Sequence, residues 1–216
     1  MDADLSNFIV LPNEFNEQRI LHSSISSKTI LALKRDSQTL YAMKSVLSFE
    51  NENNNIFIDI CNKLVQLNHP CSMPISYLSL SDQNQGLYPA IYSVYTSNQS
   101  LQDIIEKQMS TGTIEGMDST QEAIILYGIS KYLSYLHGKN QIHGRLKASN
   151  VLLDPNLYPL VSDPFFYELN INMFNSTISK SIDYIVSLSN ETLLNGVITS
   201  KSDIYSFGIL MLQIFS

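Results

Sequence analysis

Residues 141–154 read Gln141-Ile142-His143-Gly144-Arg145-Leu146-Lys147-Ala148-Ser149-Asn150-Val151-Leu152-Leu153-Asp154. The first part of this stretch places several hydrogen-bonding side chains close together, at His143, Arg145, Lys147 and Asn150. An apolar run follows at residues 151–153 and is typical of a short strand. Asp154-Pro155-Asn156 then has the residue types of a tight turn. The stretch therefore predicts a polar loop that leads directly into a strand and a turn.

The spacing of these residues resembles the catalytic loop of eukaryotic protein kinases, His-Arg-Asp-Leu-Lys-x-x-Asn followed by a short apolar strand. The matching positions are His143, Leu146, Lys147 and Asn150. Gly144 stands where the family has arginine. Arg145 stands where the family has the aspartate that accepts the proton of the substrate hydroxyl. The chain therefore resembles a kinase whose catalytic base position carries the opposite charge.

The resemblance implies an α+β, bilobal protein kinase-like fold. Residues 1–95 would form the small lobe, an antiparallel β-sheet with one helix. Residues 96–216 would form a partial large lobe, mainly helical, that ends after its central apolar helix. The start of that last helix, Ser202-Asp203-Ile204-Tyr205-Ser206-Phe207-Gly208, resembles the family's Ser-Asp-Val-Trp-Ser-Phe-Gly. In the family the aspartate of this segment braces the backbone of the catalytic loop, which we expect of Asp203.

Leu40-Tyr41-Ala42-Met43-Lys44-Ser45-Val46 is predicted to be a strand from its apolar content. It resembles the Val-Ala-Ile-Lys strand of kinases, whose lysine pairs with the first two phosphates of ATP. By itself, a lysine on a strand is usually a solvated residue at the sheet edge. The catalytic-loop match downstream favours Lys44 as the family's nucleotide-binding lysine.

Ile56, Ile60, Leu64 and Leu67 recur at helical spacing, and the helix is expected to end at Asn68-His69-Pro70. The segment resembles the small-lobe helix whose glutamate pairs with the strand lysine. That glutamate falls at Ile60, which cannot pair with a lysine. Asp59 is adjacent, but one helical residue rotates a side chain by about 100 degrees. Asp59 is therefore predicted to be a solvated residue.

The first hairpin is predicted from strands at residues 19–21 and 29–33, with Ser23-Ser24-Ile25-Ser26-Ser27-Lys28 between them. A kinase places its glycine-rich loop here, because glycine lets backbone amides close over the phosphates. The first glycine of this chain is Gly86. The sequence therefore predicts a polar hairpin loop without a phosphate-binding role, although serine hydroxyls leave weak nucleotide contact open.

Leu160-Val161-Ser162 is predicted to be a buried strand that leads into Asp163-Pro164-Phe165. This triplet resembles the metal-binding Asp-Phe-Gly of kinases, with Asp163 as the retained ligand. Proline fixes φ, and phenylalanine replaces the glycine that lets the segment flip, so one locked conformation is expected. Asn150 and Asp163 could hold Mg²⁺, but only weakly without phosphates. The resemblance thus implies ATP and Mg²⁺ as cofactors, with weak or absent binding.

A long helix is predicted to precede the catalytic loop. Ser119-Thr120-Gln121-Glu122 has the pattern of a capping box, and Gly138 has that of a C-cap. One face of the helix is apolar, at Ile125, Ile129, Tyr132, Leu133 and Leu136. In the family the histidine that matches His143 packs and hydrogen-bonds inside the fold, and we expect the same structural role here.

Residues 166–190 are rich in Asn, Ser and Thr, which is consistent with an activation segment. Ser189-Asn190-Glu191 falls where kinases have Ala-Pro-Glu. Possible phosphorylation sites are Ser176, Thr177, Ser179 and Ser181. The arginine that receives such a phosphate in the family is Gly144 here, so regulation by that route is not expected.

The composition limits the possible partners and cellular location of the protein. The net charge of −7 gives no basic surface for nucleic acid. Cys61 and Cys71 are the two cysteines and lack metal-ligand spacing to histidine, which favours free thiols in a reducing compartment. The acidic N-terminus is unlike a signal peptide, and no apolar run reaches the roughly 18 residues that span a bilayer. We therefore expect a cytoplasmic protein without a membrane partner.

Two functions remain open from the sequence. The first is a pseudokinase, a binding or allosteric signalling module whose partner is another protein, for example an active kinase. The second is a divergent ATP-dependent serine/threonine protein kinase that still uses Lys44, Lys147, Asn150 and Asp163. Arg145 favours the first, because a cation occupies the place where the substrate hydroxyl must lose a proton.

The last helix is apolar on nearly every side from Phe207 onward, which is typical of a helix at the centre of a core. Kinases cover the corresponding helix with further helices. The sequence therefore predicts that a missing segment of a longer polypeptide or another chain covers its apolar face. A poorly stable truncated product is the alternative.

Overall fold

A computed structural model describes residues 5–23, 27–47, 54–81, 87–96, 99–111, 117–168 and 187–215 of the chain. It contains two compact units. The first comprises Met1–Leu67 and Pro74–Tyr95, and the second comprises Asn68–Met73 and Thr96–Ser216. The antiparallel sheet of the first unit and the mainly helical second unit confirm the α+β class. The predicted domain boundary after residue 95 stays a prediction.

The first unit is built on a five-stranded antiparallel sheet. Its strands are β1 (Phe15–Ser23), β2 (Ser27–Lys34), β3 (Leu40–Val46), β4 (Tyr77–Ser79) and β5 (Ala90–Val94). They lie in the order β1-β2-β3-β5-β4. β3 has the predicted bounds, whereas β1 and β2 are longer than predicted. β1 is exposed at every residue after Phe15, so its hydrogen bonds to β2, and not an apolar pattern, define its length.

One face of this sheet carries an aromatic core. The rings of Phe15 and Tyr92 stack with centroids 4.4 Å apart, and Tyr41 meets Phe15 edge-on at 5.6 Å. Met43 packs in the same core. Because successive side chains of a strand point to opposite faces, Lys44 lies on the face of β3 opposite this core.

Helix α1 (Asn54–Val65) follows β3. Ile60 is fully buried, whereas Asp59 is exposed. Both observations agree with the predicted helical register. Asp59 is thus confirmed as a solvated residue, and an apolar residue fills the place of the family's glutamate.

The second unit contains α2 (Leu101–Thr111), α3 (Ser119–Gly138), α4 (Asn190–Asn195) and α5 (Ser200–Ile214). A two-stranded sheet of β6 (Val151–Leu153) and β7 (Pro159–Val161) follows the catalytic loop. The predicted apolar face of α3 is confirmed: its buried residues are Ile125, Ile129, Tyr132, Leu133 and Leu136. None of the helices in the described residues is both long and apolar enough to cross a membrane.

The ends of α3 differ from the prediction. The N-cap is Asp118 instead of Ser119, because the Asp118 carboxylate accepts the Gln121 backbone N–H at 2.8 Å. The Gln121 side chain returns a hydrogen bond from the Asp118 N–H at 3.0 Å. At the other end the helix includes Gly138 and is capped by Lys139. The predicted capping box at Ser119 and Glu122 and the predicted C-cap at Gly138 are therefore wrong, each by one residue.

Helix α5 buries a narrow stripe made largely of polar residues. Its buried positions are Ser202, Asp203, Ser206, Leu210 and Ile214. Several large apolar side chains of its other faces are exposed, namely Ile204, Tyr205, Leu212 and Phe215. Within the described residues, the helix is therefore only partly covered.

Candidate functional site

Asp203 anchors the catalytic loop. Its carboxylate is almost completely buried in the first turn of α5. Oδ2 accepts the backbone N–H of His143 and Oδ1 accepts that of Gly144, each at 2.8 Å. The predicted bracing role of Asp203 is confirmed. A buried carboxylate with several charge-assisted hydrogen bonds is a strong anchor for a loop backbone.

His137 is a third partner of this carboxylate, which the sequence analysis did not identify. It lies in the last turn of α3, and its Nε2 is 2.9 Å from Asp203 Oδ2. The end of α3 and the start of α5 therefore meet at one carboxylate directly before the loop. The only sequence signal was a histidine one residue before the helix end.

His143 has a structural role, as predicted. The residue is fully buried, and its Nδ1 accepts the Arg145 backbone N–H at 3.2 Å. Nε2 therefore carries the ring proton and donates to the carbonyl of Ser162 at 3.0 Å. Burial lowers the pKa of the imidazole, which favours this neutral form.

The backbone at Arg145 is fixed on both sides. Its N–H binds the His143 ring, and its carbonyl accepts the side-chain amide of Asn150 at 2.8 Å. The Asn150 carbonyl in turn accepts the Ser162 N–H at 2.8 Å. The backbone that carries Arg145 is therefore held on both sides, and the side chains of Arg145 and Lys147 are half-buried.

The segment after β7 has unusual backbone geometry. Asp163 and Phe165 adopt φ values of 64° and 69°, a left-handed region that costs non-glycine residues about 1–3 kcal/mol. The Phe165 N–H donates to the carbonyl of His143 at 3.1 Å, and the Phe165 ring is 1% exposed. Ring burial and this hydrogen bond offset the strain. The expectation of a single locked conformation stays a prediction.

The oxygen ligands that could hold a cation are few. The Asn150 amide nitrogen is bound to Arg145, so its Oδ1 is the atom that could bind a metal, together with the nearly buried carboxylate of Asp163. No group of three or more His, Cys, Asp or Glu side chains suited to a metal occurs in the described ranges. Two hard oxygen donors fit Mg²⁺ that arrives with phosphate ligands, and the bound Mg²⁺ would neutralise charge on those phosphates.

Lys44 belongs to the first unit and is half-buried in the central strand β3. It is paired in register with Thr29 of β2 and Ile91 of β5. The predicted strand position is therefore confirmed, while its role toward nucleotide stays a prediction. Ser24–Ser26 of the preceding hairpin lie outside the described residues.

The chain between β7 and α5 contains several residues that the kinase resemblance singles out. The possible phosphorylation sites Ser176, Thr177, Ser179 and Ser181 lie outside the described residues. Ser189 caps α4, and its hydroxyl lies 2.9 Å from that of Thr192, which is 3.0 Å from that of Ser202 in α5. Glu191 is exposed. Buried hydroxyl groups, and not Glu191, therefore attach the start of α4 to α5.

Comparison with known proteins places these features in a family. The sequence profile of the protein tyrosine and serine/threonine kinase family matches residues 21–216. The chain is similar to the LRR receptor-like serine/threonine-protein kinase FEI 2 of Arabidopsis thaliana, with 28% identity over 87% of this chain and 31% of that protein. It is also similar to receptor-like kinase LIP2 of the same plant, with 32% identity over 71% of this chain and 27% of that protein.

A relative outside plants is similar over a comparable length. The interleukin-1 receptor-associated kinase-like 2 of Pongo abelii is 29% identical over 68% of this chain and 23% of that protein. The chain thus spans less than a third of the length of each of these relatives.

Proposed function

The chain belongs to the protein tyrosine and serine/threonine kinase family, and we propose that within this family it is a pseudokinase. In this proposal it acts as a binding or allosteric signalling module with little or no phosphoryl transfer. We also propose a cytoplasmic location, consistent with two buried, unpaired cysteine thiols.

The observation that carries the proposal is the fixed position of Arg145. Asp203 accepts the backbone N–H groups of His143 and Gly144, as the family's aspartate braces its loop, and the loop residue that matches the family's base is Arg145. An arginine cannot accept a proton in proteins. Loss of a general base costs roughly 10²–10⁴-fold in rate, and here a cation also occupies the place where the substrate hydroxyl must lose its proton.

Residues of the first unit support the proposal that nucleotide binds only weakly. Lys44 is retained, but the position of its glutamate partner is the fully buried Ile60, and the neighbouring Asp59 is exposed. The first hairpin contains no glycine. A bound ATP would therefore lack two contacts that the family makes. These are a lysine positioned by a glutamate, and glycine backbone amides that close over the phosphates.

A divergent serine/threonine kinase is the second candidate. Its support is the retention of Lys147 and Asn150 on the loop and of Asp163 after β7, with the Asn150 amide oriented by the Arg145 carbonyl. An enzyme of this kind would bind ATP and Mg²⁺ as kinases generally do. It would need a base other than residue 145.

Thermal unfolding with ATP, with and without Mg²⁺, separates the two candidates. At 1 mM ligand, a Kd of 10 µM stabilises the fold by about 2.7 kcal/mol, whereas a Kd of 1 mM gives only about 0.4 kcal/mol. The pseudokinase proposal predicts a shift in Tm of at most about 1–2 °C. A Mg²⁺-dependent shift of several degrees would favour the kinase.

A protein partner is proposed to bind the apolar surface of α5. Leu212 and Phe215 are 68% and 65% exposed there. A groove of about 490 Å³ lies between α3 and α5 and is lined in part by Leu133, Ile204 and Phe207. Large exposed apolar patches mark interaction sites on soluble proteins. The proposed partner would cover Leu212 and Phe215.

A further inference from the structure

Gly144 occupies a position that admits no side chain. Its φ is +73°, and a Cβ atom built there would lie 2.6 Å from Cγ and 2.7 Å from Cε1 of the Tyr167 ring, and closer still to Cδ1. Carbon atoms do not approach so closely in proteins. Gly144 is also buried, and Asp203 binds its N–H. The ring of Tyr167 therefore fills the space that a side chain at residue 144 would need.

Tyr167 is held in this place from both sides in sequence. The Phe165 N–H donates to the His143 carbonyl at 3.1 Å, and the Glu168 N–H donates to the Phe165 carbonyl at 2.9 Å. The side chains of Phe165 and Phe166 are buried. This short turn places the Tyr167 ring on the catalytic loop.

The surroundings of the ring are partly desolvated. Burial raises the pKa of Tyr167 to about 12, with a smaller contribution from the nearby carboxylates of Glu168 and Asp203. The phenol is therefore neutral at physiological pH. An uncharged ring can pack on the glycine without disturbing the buried Asp203 carboxylate.

We infer that Tyr167 is a positioning residue for the catalytic loop, which it clamps by packing on Gly144. The two residues depend on each other: the ring requires glycine at 144, and an arginine at 144 would require the ring to leave. The clamp fixes residues 163–168 on the loop without a phosphate group and without an arginine to receive one. The inference is independent of whether the protein transfers phosphate.

A cycle of glycine and tyrosine variants tests the clamp. Gly196 is the matched control, because its φ is +68° but a Cβ there would meet nothing within 4 Å. Gly196→Ala therefore measures the cost of positive φ alone, a fall in Tm of roughly 2–8 °C. Gly144→Ala should lower Tm by more than twice as much in the wild type. In a Tyr167→Ala background it should lower Tm only as much as the control does.

An equal fall of Tm from Gly144→Ala in both backgrounds would overturn the inference. Failure of Gly144→Ala to fold supports it if Gly144→Ala with Tyr167→Ala folds, and contradicts it if that double variant also fails. Hydrogen exchange of the Phe165 amide gives a second, independent result. Tyr167→Phe keeps the ring and should retain wild-type protection, whereas Tyr167→Ala should lose at least tenfold. Equal protection in these two variants would also overturn the clamp.

Discussion

The carboxylate of Asp203 accepts the backbone N–H of Gly144 at 2.8 Å, across 59 residues of sequence. The same carboxylate binds the neighbouring amide of His143 and the ring of His137. This one buried group therefore ties two helices to the loop that carries Arg145.

The anchoring role of Asp203 predicts a large loss of stability on Asp203→Asn. The isosteric amide turns a donor toward groups that are themselves donors, and leaves at least one buried N–H without an acceptor. We expect a loss of about 3 kcal/mol in the free energy of unfolding, measured with urea. Asp59→Asn is the control, since Asp59 is exposed and should change stability by no more than about 0.5 kcal/mol. Equal effects of the two variants would contradict the role.

Stability should fall in mild acid because of His143. Burial holds its pKa in the folded protein below the unfolded value of about 6.5, so the unfolded state binds more protons between the two values. The free energy of unfolding therefore decreases as pH falls through about 6.5, by at most about 1.4 kcal/mol per pH unit for one proton.

His143→Gln isolates this contribution. The variant should be less stable at every pH, but with a shallower slope of stability against pH between 7.5 and 5.5. Some slope should remain, because burial also lowers the pKa of His69. Urea unfolding at several pH values measures the slopes. An unchanged slope in His143→Gln would assign the pH dependence to other groups.

Arg145 is expected to fold back and pair with Asp163, so that its charge stands in for the metal. Both groups lie near enough to His143 to act on its pKa, Asp163 raising it and Arg145 lowering it. Two unit charges 4 Å apart attract by about 4 kcal/mol at an effective dielectric of 20, less the cost of desolvation. A double-mutant cycle of Arg145→Gln and Asp163→Asn should give a coupling energy of roughly 0.5–3 kcal/mol. Additive effects would argue against the pair.

Lys44 should contribute nothing to partner binding. Because ATP is expected to bind weakly or not at all, Lys44→Ala should leave the affinity for a protein partner unchanged, as measured by calorimetry. The same titration with Mg²⁺ and ATP should give no Kd in the low micromolar range for the wild type. Binding with a low micromolar Kd that Lys44→Ala abolishes would favour the divergent serine/threonine kinase.

The two faces of α5 should respond differently to the same substitution. Leu210 is 1% exposed and Leu212 is 68% exposed, so the residues form a matched pair on one helix. Leu210→Ala should cost about 2–5 kcal/mol in unfolding free energy. The exposed apolar side chains of α5 predict that the purified chain self-associates without a partner. Leu212→Ala should cost less than about 0.5 kcal/mol, but reduce this self-association in light scattering. A wild-type chain that stays a stable monomer without a partner would contradict the proposed surface.

The periodic elements could be predicted from the sequence because burial repeats at helical or strand spacing. The five buried residues of α3 and the bounds of β3 follow from that pattern. The N-cap of α3 could not be fixed, since Asp118 with Gln121 and Ser119 with Glu122 are two overlapping capping boxes. The length of the exposed strand β1 was set by its partner strand and left no apolar signal.

The candidate site could be predicted only in part, because some of its contacts join residues that are far apart in sequence. Motif spacing located Asp203 and the loop, because each motif is local in sequence. The contacts of His137 with Asp203 and of Tyr167 with Gly144 join residues that are distant in sequence or separated by a strand pair. Neither residue type is unusual at its position, so only the folded chain reveals them.

Phosphoryl transfer from ATP is the measurement that tests the pseudokinase proposal most directly. The purified chain is incubated with Mg²⁺, labelled ATP and mixed serine, threonine and tyrosine peptides, beside the Asp163→Asn variant. We predict that the label transferred by the wild type does not exceed that of Asp163→Asn. Transfer by the wild type that Asp163→Asn and Lys44→Ala both abolish would contradict the account, because it would show a working kinase despite Arg145.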